Sequence, residues 1–164
     1  MKKKILYLSY NGLVEPLGKS QILPYINLIN HDHEVKIISF EKKLELSEIN
    51  ILKERLNNAN ISWSIYRRYN NLYFLNLFSF SSAFIYIFYL SLSNQINTIH
   101  ARSFIPALIS IIIKFFLKKI KIIYDIRGFW VDEKVDRMNL KKKGFFYKFL
   151  KYLDKLNYIY SDHI

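Results

Sequence analysis

Cysteine is absent from this 164-residue chain, which excludes a disulfide scaffold and any zinc or iron–sulfur site built on thiolates. A reducing compartment suits such a composition. Glycine and proline are scarce, at 4 and 3 residues, so the chain encodes neither a collagen nor a low-complexity linker. Acidic side chains are about half as frequent as basic ones, 13 against 25, for a net charge of +12. Long apolar runs are also lacking. Leu77 to Leu92 is charge-free but interrupted by Ser79, Ser81, Ser82 and Ser91; it stops short of the ~20 residues a bilayer span takes and reads as a buried helix. The basic start Met1-Lys2-Lys3-Lys4 runs into Ile5 to Leu8, but Asn11, Gly12 and Glu15 break the run and no small-residue cleavage site follows. That start reads as a first strand, not a secretory leader.

What is present is apolar mass: 51% hydrophobic and 17% aromatic residues, enough for the core of one domain and incompatible with intrinsic disorder. The cations are mostly lysine. Only six of the 25 are arginine, at 55, 67, 68, 102, 127 and 137, and these are the more informative ones, because a planar guanidinium matches phosphate or carboxylate with two parallel bonds. A positive field of this size suits nucleic acid or an anionic membrane, but solvated lysine faces account for most of it, and no nucleic-acid partner is expected.

Hydrophobic period places strands at Ile5–Ser9, Val35–Phe40, Ile61–Tyr66, Thr98–Ala101 and Lys121–Ile126. Helical patterns fill the intervals at Gln21–Ile29, about Ser47–Leu56, about Leu77–Leu92, Ile105–Leu117 and Lys141–Tyr160. Ser20 is placed to cap the first helix, with Pro24 in its opening turn. Strict alternation of apolar strands with helices predicts a Rossmann-like α/β fold, a parallel sheet covered on both faces. Residues 1–164 read as one such domain, and Ser161-Asp162-His163-Ile164 looks like a sixth strand beginning, so we expect the chain to continue into a further domain.

Between the first strand and first helix, Gly12-Leu13-Val14-Glu15-Pro16-Leu17-Gly18-Lys19-Ser20 nearly matches the phosphate-binding pattern G-x-x-x-x-G-K-S/T. The spacing is one residue too long. Pro16 removes a backbone donor and Glu15 adds a repelling charge, so the converging amides that hold a β-phosphate are spoiled. An ordinary turn whose glycines relieve crowding is the plainer reading. In either case the loop sits at the carboxyl end of strand one, the edge where open parallel sheets bind ligands. Arg67, Arg68, Arg102 and Arg127 fall at the same ends of strands three, four and five and are expected on one rim. His100 lies beside Arg102. Asp125-Ile126-Arg127-Gly128-Phe129-Trp130-Val131-Asp132-Glu133 gathers acids, a glycine and an aromatic face suited to a sugar or a membrane interface; Asp132 and Glu133 are close enough to hold a metal or do acid–base work, and read equally well as exposed loop acids. His31 and His33, at a helix end, read as incidental.

Several of these stretches resemble the amino-terminal domain of GT-B fold glycosyltransferases of family four. They are Lys4 to Leu13 with Glu15-Pro16-Leu17-Gly18-Lys19-Ser20-Gln21, His33-Glu34-Val35 leading to Ser39-Phe40-Glu41-Lys42, Ile99-His100-Ala101-Arg102-Ser103, Tyr124 to Glu133, and Tyr160-Ser161-Asp162-His163-Ile164. The resemblance implies retaining, metal-independent transfer of a sugar from a nucleotide donor, made between two Rossmann-like domains. The amino-terminal one holds the acceptor, here a cell-surface polysaccharide or a lipid-linked acceptor. Its implied binding residues are Asn11, Gly12, Gly18, His100, Arg102, Asp125, Arg127 and Trp130, with Asp125 and Arg127 as candidates for assisting transfer. The donor, and a pair of glutamates separated by seven residues, belong to the carboxyl-terminal domain; no two of the glutamates here are eight positions apart. A histidine often follows the fifth strand in that family, where this chain has Arg127. No cofactor or metal is implied in this half, and the expected location is cytoplasmic, peripheral on the inner face of the plasma membrane.

Two other readings remain open from sequence, a stand-alone nucleotide-binding α/β protein and a basic module for a membrane surface or nucleic acid. The last helix bears on the membrane. Phe146, Phe149, Leu150, Leu153, Leu156 and Tyr160 fall on one face with Lys141, Lys148, Lys151 and Lys155 roughly opposite, so we expect the lysines to point outward toward anionic lipid.

Overall fold

Strands that run apolar on both faces must be covered on both, and that is how this chain folds. The computed structural model describes residues 2–42, 45–69, 72–137 and 144–164. Strands β1 (Lys4–Ser9), β2 (Glu34–Glu41), β3 (Ser62–Arg67), β4 (Thr98–Arg102) and β5 (Lys121–Asp125) form one sheet in the order β3-β2-β1-β4-β5. Every neighbouring pair is parallel. The chain is a Rossmann-like α/β fold, as its alternation predicts.

Period-two burial divides the core between the sheet's faces. Tyr7, Val35, Ile37 and Trp63 pack against α1 (Leu23–Ile29) and α2 (Leu46–Asn58), while Leu6, Leu8, Ile38, Phe40 and Ile99 pack against α3 (Tyr73–Leu92) and α4 (Phe104–Phe116). A third cluster, Phe104, Val131, Val135 and Leu150, joins α4 to α5 (Trp130–Arg137) and α6 (Phe145–Tyr160). After β3 the chain crosses to β4 on the far side of β1. The strand order therefore reverses at β1, and the connections leaving β1 and β4 diverge to open a crevice at the carboxyl ends.

Four local expectations need correcting. Ser20 is not a cap: a π-helical turn, Gly18–Ile22, runs straight into α1, and the Ser20 hydroxyl donates back to the Pro16 carbonyl at 2.8 Å. Helix α3 begins at Tyr73, not Leu77, and it is not buried: Ala83, Ile87 and Leu90 pack on the sheet, while Phe74, Phe78 and Ile85 are exposed. A helix apolar all round can bury only one side when a single sheet covers it. Trp130 to Glu133, read in part as a loop, form the first turn of α5, where the carboxylates of Asp132 and Glu133 suit the helix amino terminus.

Helix α6 is rotated from its expected setting. Leu150 and Asn157 are buried, whereas Phe146, Phe149 and Tyr160 are exposed. Polar groups of neighbouring elements draw the polar residues inward: Asn157 Nδ2 donates to the Phe104 carbonyl at 3.2 Å, and the Tyr124 hydroxyl donates to Asp154 at 3.4 Å. Lys151 does not point free to solvent, because its ammonium is held 2.7 Å from Asp132. Lys148 and Lys155 are exposed, and Lys141 lies outside the described residues. The final segment does run beside the sheet, with one parallel bridge from Ile123 to His163.

Candidate functional site

The loop after β1 is built around a carboxylate. Glu41, at the end of β2 and fully buried, takes the Leu13 amide at 2.6 Å and the Ser39 hydroxyl at 2.7 Å; Trp63 Nε1 in turn donates to Ser39 Oγ at 2.8 Å. Burial pushes the Glu41 carboxyl above its ordinary range, against the pull of these bonds. Gly12 lies where a side chain would strike the Glu41 carboxylate, and Gly18 packs onto the backbone of Gly12 and Leu13. Both glycines thus relieve crowding. Asn11 closes the strand end, its amide donating to Ser9 Oγ at 3.1 Å.

A phosphate loop needs those amides for its ligand, whereas here an internal acid already holds one of them. Lys19 points away to an exposed pair with Glu48 at 3.1 Å, beside a groove of about 470 Å³ between α1 and α2. Lys19→Ala is accordingly expected to change nothing in magnesium-dependent ATP or GTP binding, with none measurable in either protein by calorimetry. Nucleotide affinity that vanishes in the variant would restore the phosphate-loop reading.

The expected single rim of four arginines separates into two groups, because β2 and β1 lie between β3 and β4. Arg68 is buried, 3.0 Å from Glu15 and stacked 4.4 Å over the Tyr10 ring. Arg67 lies 5.0 Å over the Tyr69 ring. Neither reaches the β4–β5 side.

On that side Asp125 is the hub. Its oxygens receive Arg127 Nε and Nη2, each at 2.8 Å, and lie 3.5 Å from Arg102 Nη1 and 3.6 Å from His100 Nε2. The last two are ion-pair contacts, too long for strong hydrogen bonds. Burial alone would raise the Asp125 carboxyl, but its contacts with His100 and Arg127 outweigh burial and hold it below the usual carboxylate range. Arg102 is buried, with Nη2 2.5 Å from Gln21 Oε1 and Nη1 3.4 Å from the Tyr7 hydroxyl. Arg127 remains half exposed.

His100 joins the hub to a residue that sequence reasoning missed. Its Nδ1 lies 3.1 Å from the Tyr25 hydroxyl, and the two rings meet edge to face at 5.1 Å. An ionised Asp125 opposite Nε2 favours a proton on that nitrogen, leaving Nδ1 to accept from Tyr25. Burial, followed by the Asp125 charge, keeps the Tyr25 hydroxyl protonated above its usual range. Tyr25, His100, Asp125 and Arg127 line an open cavity of about 250 Å³, floored by Ile123 and Tyr124 and edged by Ile164. A lone tyrosine on a short helix gives no sequence signal; only the packing of α1 against β4 brings it in.

No family model matches the chain, and no curated protein matches it. Its own geometry therefore carries the functional reading. Of the sequence-predicted residues, His100, Arg102, Asp125 and Arg127 converge; Asn11, Gly12 and Gly18 belong to the adjoining loop of β1. Trp130 stands apart, one face covered by Phe104 in a parallel stack at 4.5 Å. Among the described residues no three His, Asp or Glu side chains gather as a metal site. Two backbone features border the cleft. Gly128 has φ +127°, which L side chains rarely adopt, and Ser103 has φ +83° between Arg102 and α4. The Ser103 amide donates to the Asp125 carbonyl at 2.9 Å, binding the two strand ends where they carry the charged cluster.

Proposed function

We propose that the chain is the acceptor-binding half of a glycosyltransferase of the GT-B type, serving transfer of a sugar from a nucleotide donor to a cell-surface polysaccharide or lipid-linked acceptor. The observation that carries this reading is the Asp125 hub at the carboxyl ends of β4 and β5, next to the reversal point of the sheet, with the Tyr25 hydroxyl and the outer edge of Arg127 bordering an open cavity. Hydroxyl, imidazole, carboxylate and guanidinium groups together offer the donors and acceptors that a polyol needs, and a cation for a phosphate beside it. Arg102, which does not line the cavity, holds Asp125 from behind, and His100 holds it from within the lining. In this reading the nucleotide sugar is bound by a second domain facing the rim.

Titration calorimetry of the purified chain with a short-chain lipid-phosphate sugar tests the assignment. Binding is expected, and Arg127→Lys should weaken it about tenfold, because a lysine keeps the charge but loses the fork. Equal affinity in the variant would remove Arg127 from the site. The chain incubated alone with nucleotide sugars and the same acceptor should show no turnover; clear transfer would contradict the division of labour between domains.

A further inference from the structure

The outer face of the α3–α4 layer carries a surface the cleft does not use. From Tyr69 to Ile113 the one Asp, Glu, Lys or Arg in the sequence is Arg102, which is buried. A helix on a sheet ordinarily turns charged residues to water. Helix α3 instead presents Phe74, Phe78, Ile85, Tyr89 and Leu92, at 51% to 81% exposure, in a stripe that follows the helical repeat. Helix α4 extends it with Phe115 and Phe116, exposed at 78% and 63%, and the Phe116 ring meets Phe88 of α3 at 6.2 Å. A continuous aromatic and aliphatic face of this kind marks a contact surface.

Its edge identifies the occupant. At the carboxyl end of α3, Asn94 receives the ammonium groups of Lys119, through its side chain, and of Lys4, through its carbonyl at 3.3 Å. Lys118 and Lys119, both exposed, follow Phe116 one residue on, after Leu117, and among the described residues no carboxylate pairs with Lys4, Lys118 or Lys119. Protein interfaces are depleted of lysine. An apolar stripe with an unneutralised basic edge is instead the composition of elements that lie on anionic lipid.

Phe74–Leu92 is long and apolar enough to cross a bilayer, but the fold prevents it. Helix α3 joins β3 to β4, which lie in one sheet, and its inner residues Ala83, Ile87 and Leu90 are packed on that sheet. We propose that the outer face of α3, with Phe115 and Phe116, lies in the interface of an anionic bilayer parallel to its surface, with Lys4, Lys118 and Lys119 against headgroup phosphates. The inference stands on this layer alone and is independent of the cleft's assignment.

Vesicle flotation of the full chain tests it, with neutral phosphatidylcholine vesicles beside vesicles that also contain phosphatidylglycerol. Binding should require the anionic lipid and weaken several-fold at high salt. The triple variant Phe78→Ser, Ile85→Ser, Tyr89→Ser should bind at least tenfold more weakly, and Lys118→Gln with Lys119→Gln several-fold more weakly. Because the chain has no cysteine, a single Ile85→Cys can carry an environment-sensitive dye, which decides the matter even if the triple variant fails to fold. Quenching by lipids labelled near the headgroup should exceed quenching by lipids labelled at the chain end. Undiminished binding by the folded triple variant, a dye quenched best from the bilayer centre, or dimerisation through this face without vesicle binding would each overturn the proposal.

Discussion

Asp125→Asn is expected to lower the unfolding free energy by about 3 kcal/mol at neutral pH, measured by urea denaturation followed by circular dichroism. Arg102 is the reason. Its side chain is 4% exposed, and a buried cation whose carboxylate is removed keeps its desolvation penalty without the compensating charge. Asparagine still accepts a bond from Arg127, but that half-exposed partner contributes little. The effect should depend on pH. Asp125 titrates below its ordinary value in the folded chain, so its contribution is full above the unfolded carboxylate pKa of about 3.9 and disappears as the pH falls through the lowered value. The gap between the two proteins should therefore narrow in acid. Equal stability at neutral pH would show that Tyr7 and Gln21 alone satisfy Arg102, and that Asp125 is not the hub of the cluster.

Gly18→Ala is expected to cost about 3 kcal/mol or more, because an added methyl meets backbone atoms of Gly12 and Leu13 that cannot rotate away. The strain should spread through Glu41, since moving Leu13 breaks the amide bond its buried carboxylate accepts and leaves that group unsatisfied. Thermal unfolding should report a large drop in midpoint for Gly18→Ala. Lys19→Ala, one residue on and exposed, should match the wild type. A Gly18→Ala chain of unchanged stability would mean that the loop backbone shifts freely, and the close approach of loop to helix would lose its structural role.

Strand positions were legible because each strand is a short β-rich run between turn residues, and the parallel sheet with helices on both faces followed from their alternation with helices. Three features were not. Periodicity identifies an apolar helix but not how much of it is covered, so α3 read as buried although one sheet meets only its inner side. In α6 a hydrophobic count put Phe146 and Tyr160 inward, whereas the carbonyl of Phe104 and the hydroxyl of Tyr124 turn Asn157 and Asp154 toward the core. Arginines at strand ends read as one rim, but the sequence does not contain the pairing of Arg68 with Glu15 that commits it to the opposite side. Within the cleft, Asp125, His100, Arg102 and Arg127 were visible as rare polar residues at strand ends. Tyr25 was not, because its place depends on the angle at which α1 crosses β4.

Ligand entry at the carboxyl ends of β4 and β5, as proposed, is read most directly by amide-resolved nuclear magnetic resonance of the isotope-labelled chain. Titration with a short-chain lipid-phosphate sugar should shift the amides of Tyr25, His100, Arg102, Ser103, Asp125, Arg127 and Gly128 together along one binding curve, leaving the groove between α1 and α2 at Asn27, Ile51 and Arg55 unmoved. Shifts centred on Asn27, Ile51 and Arg55, with the Asp125 cluster unchanged, would contradict the account.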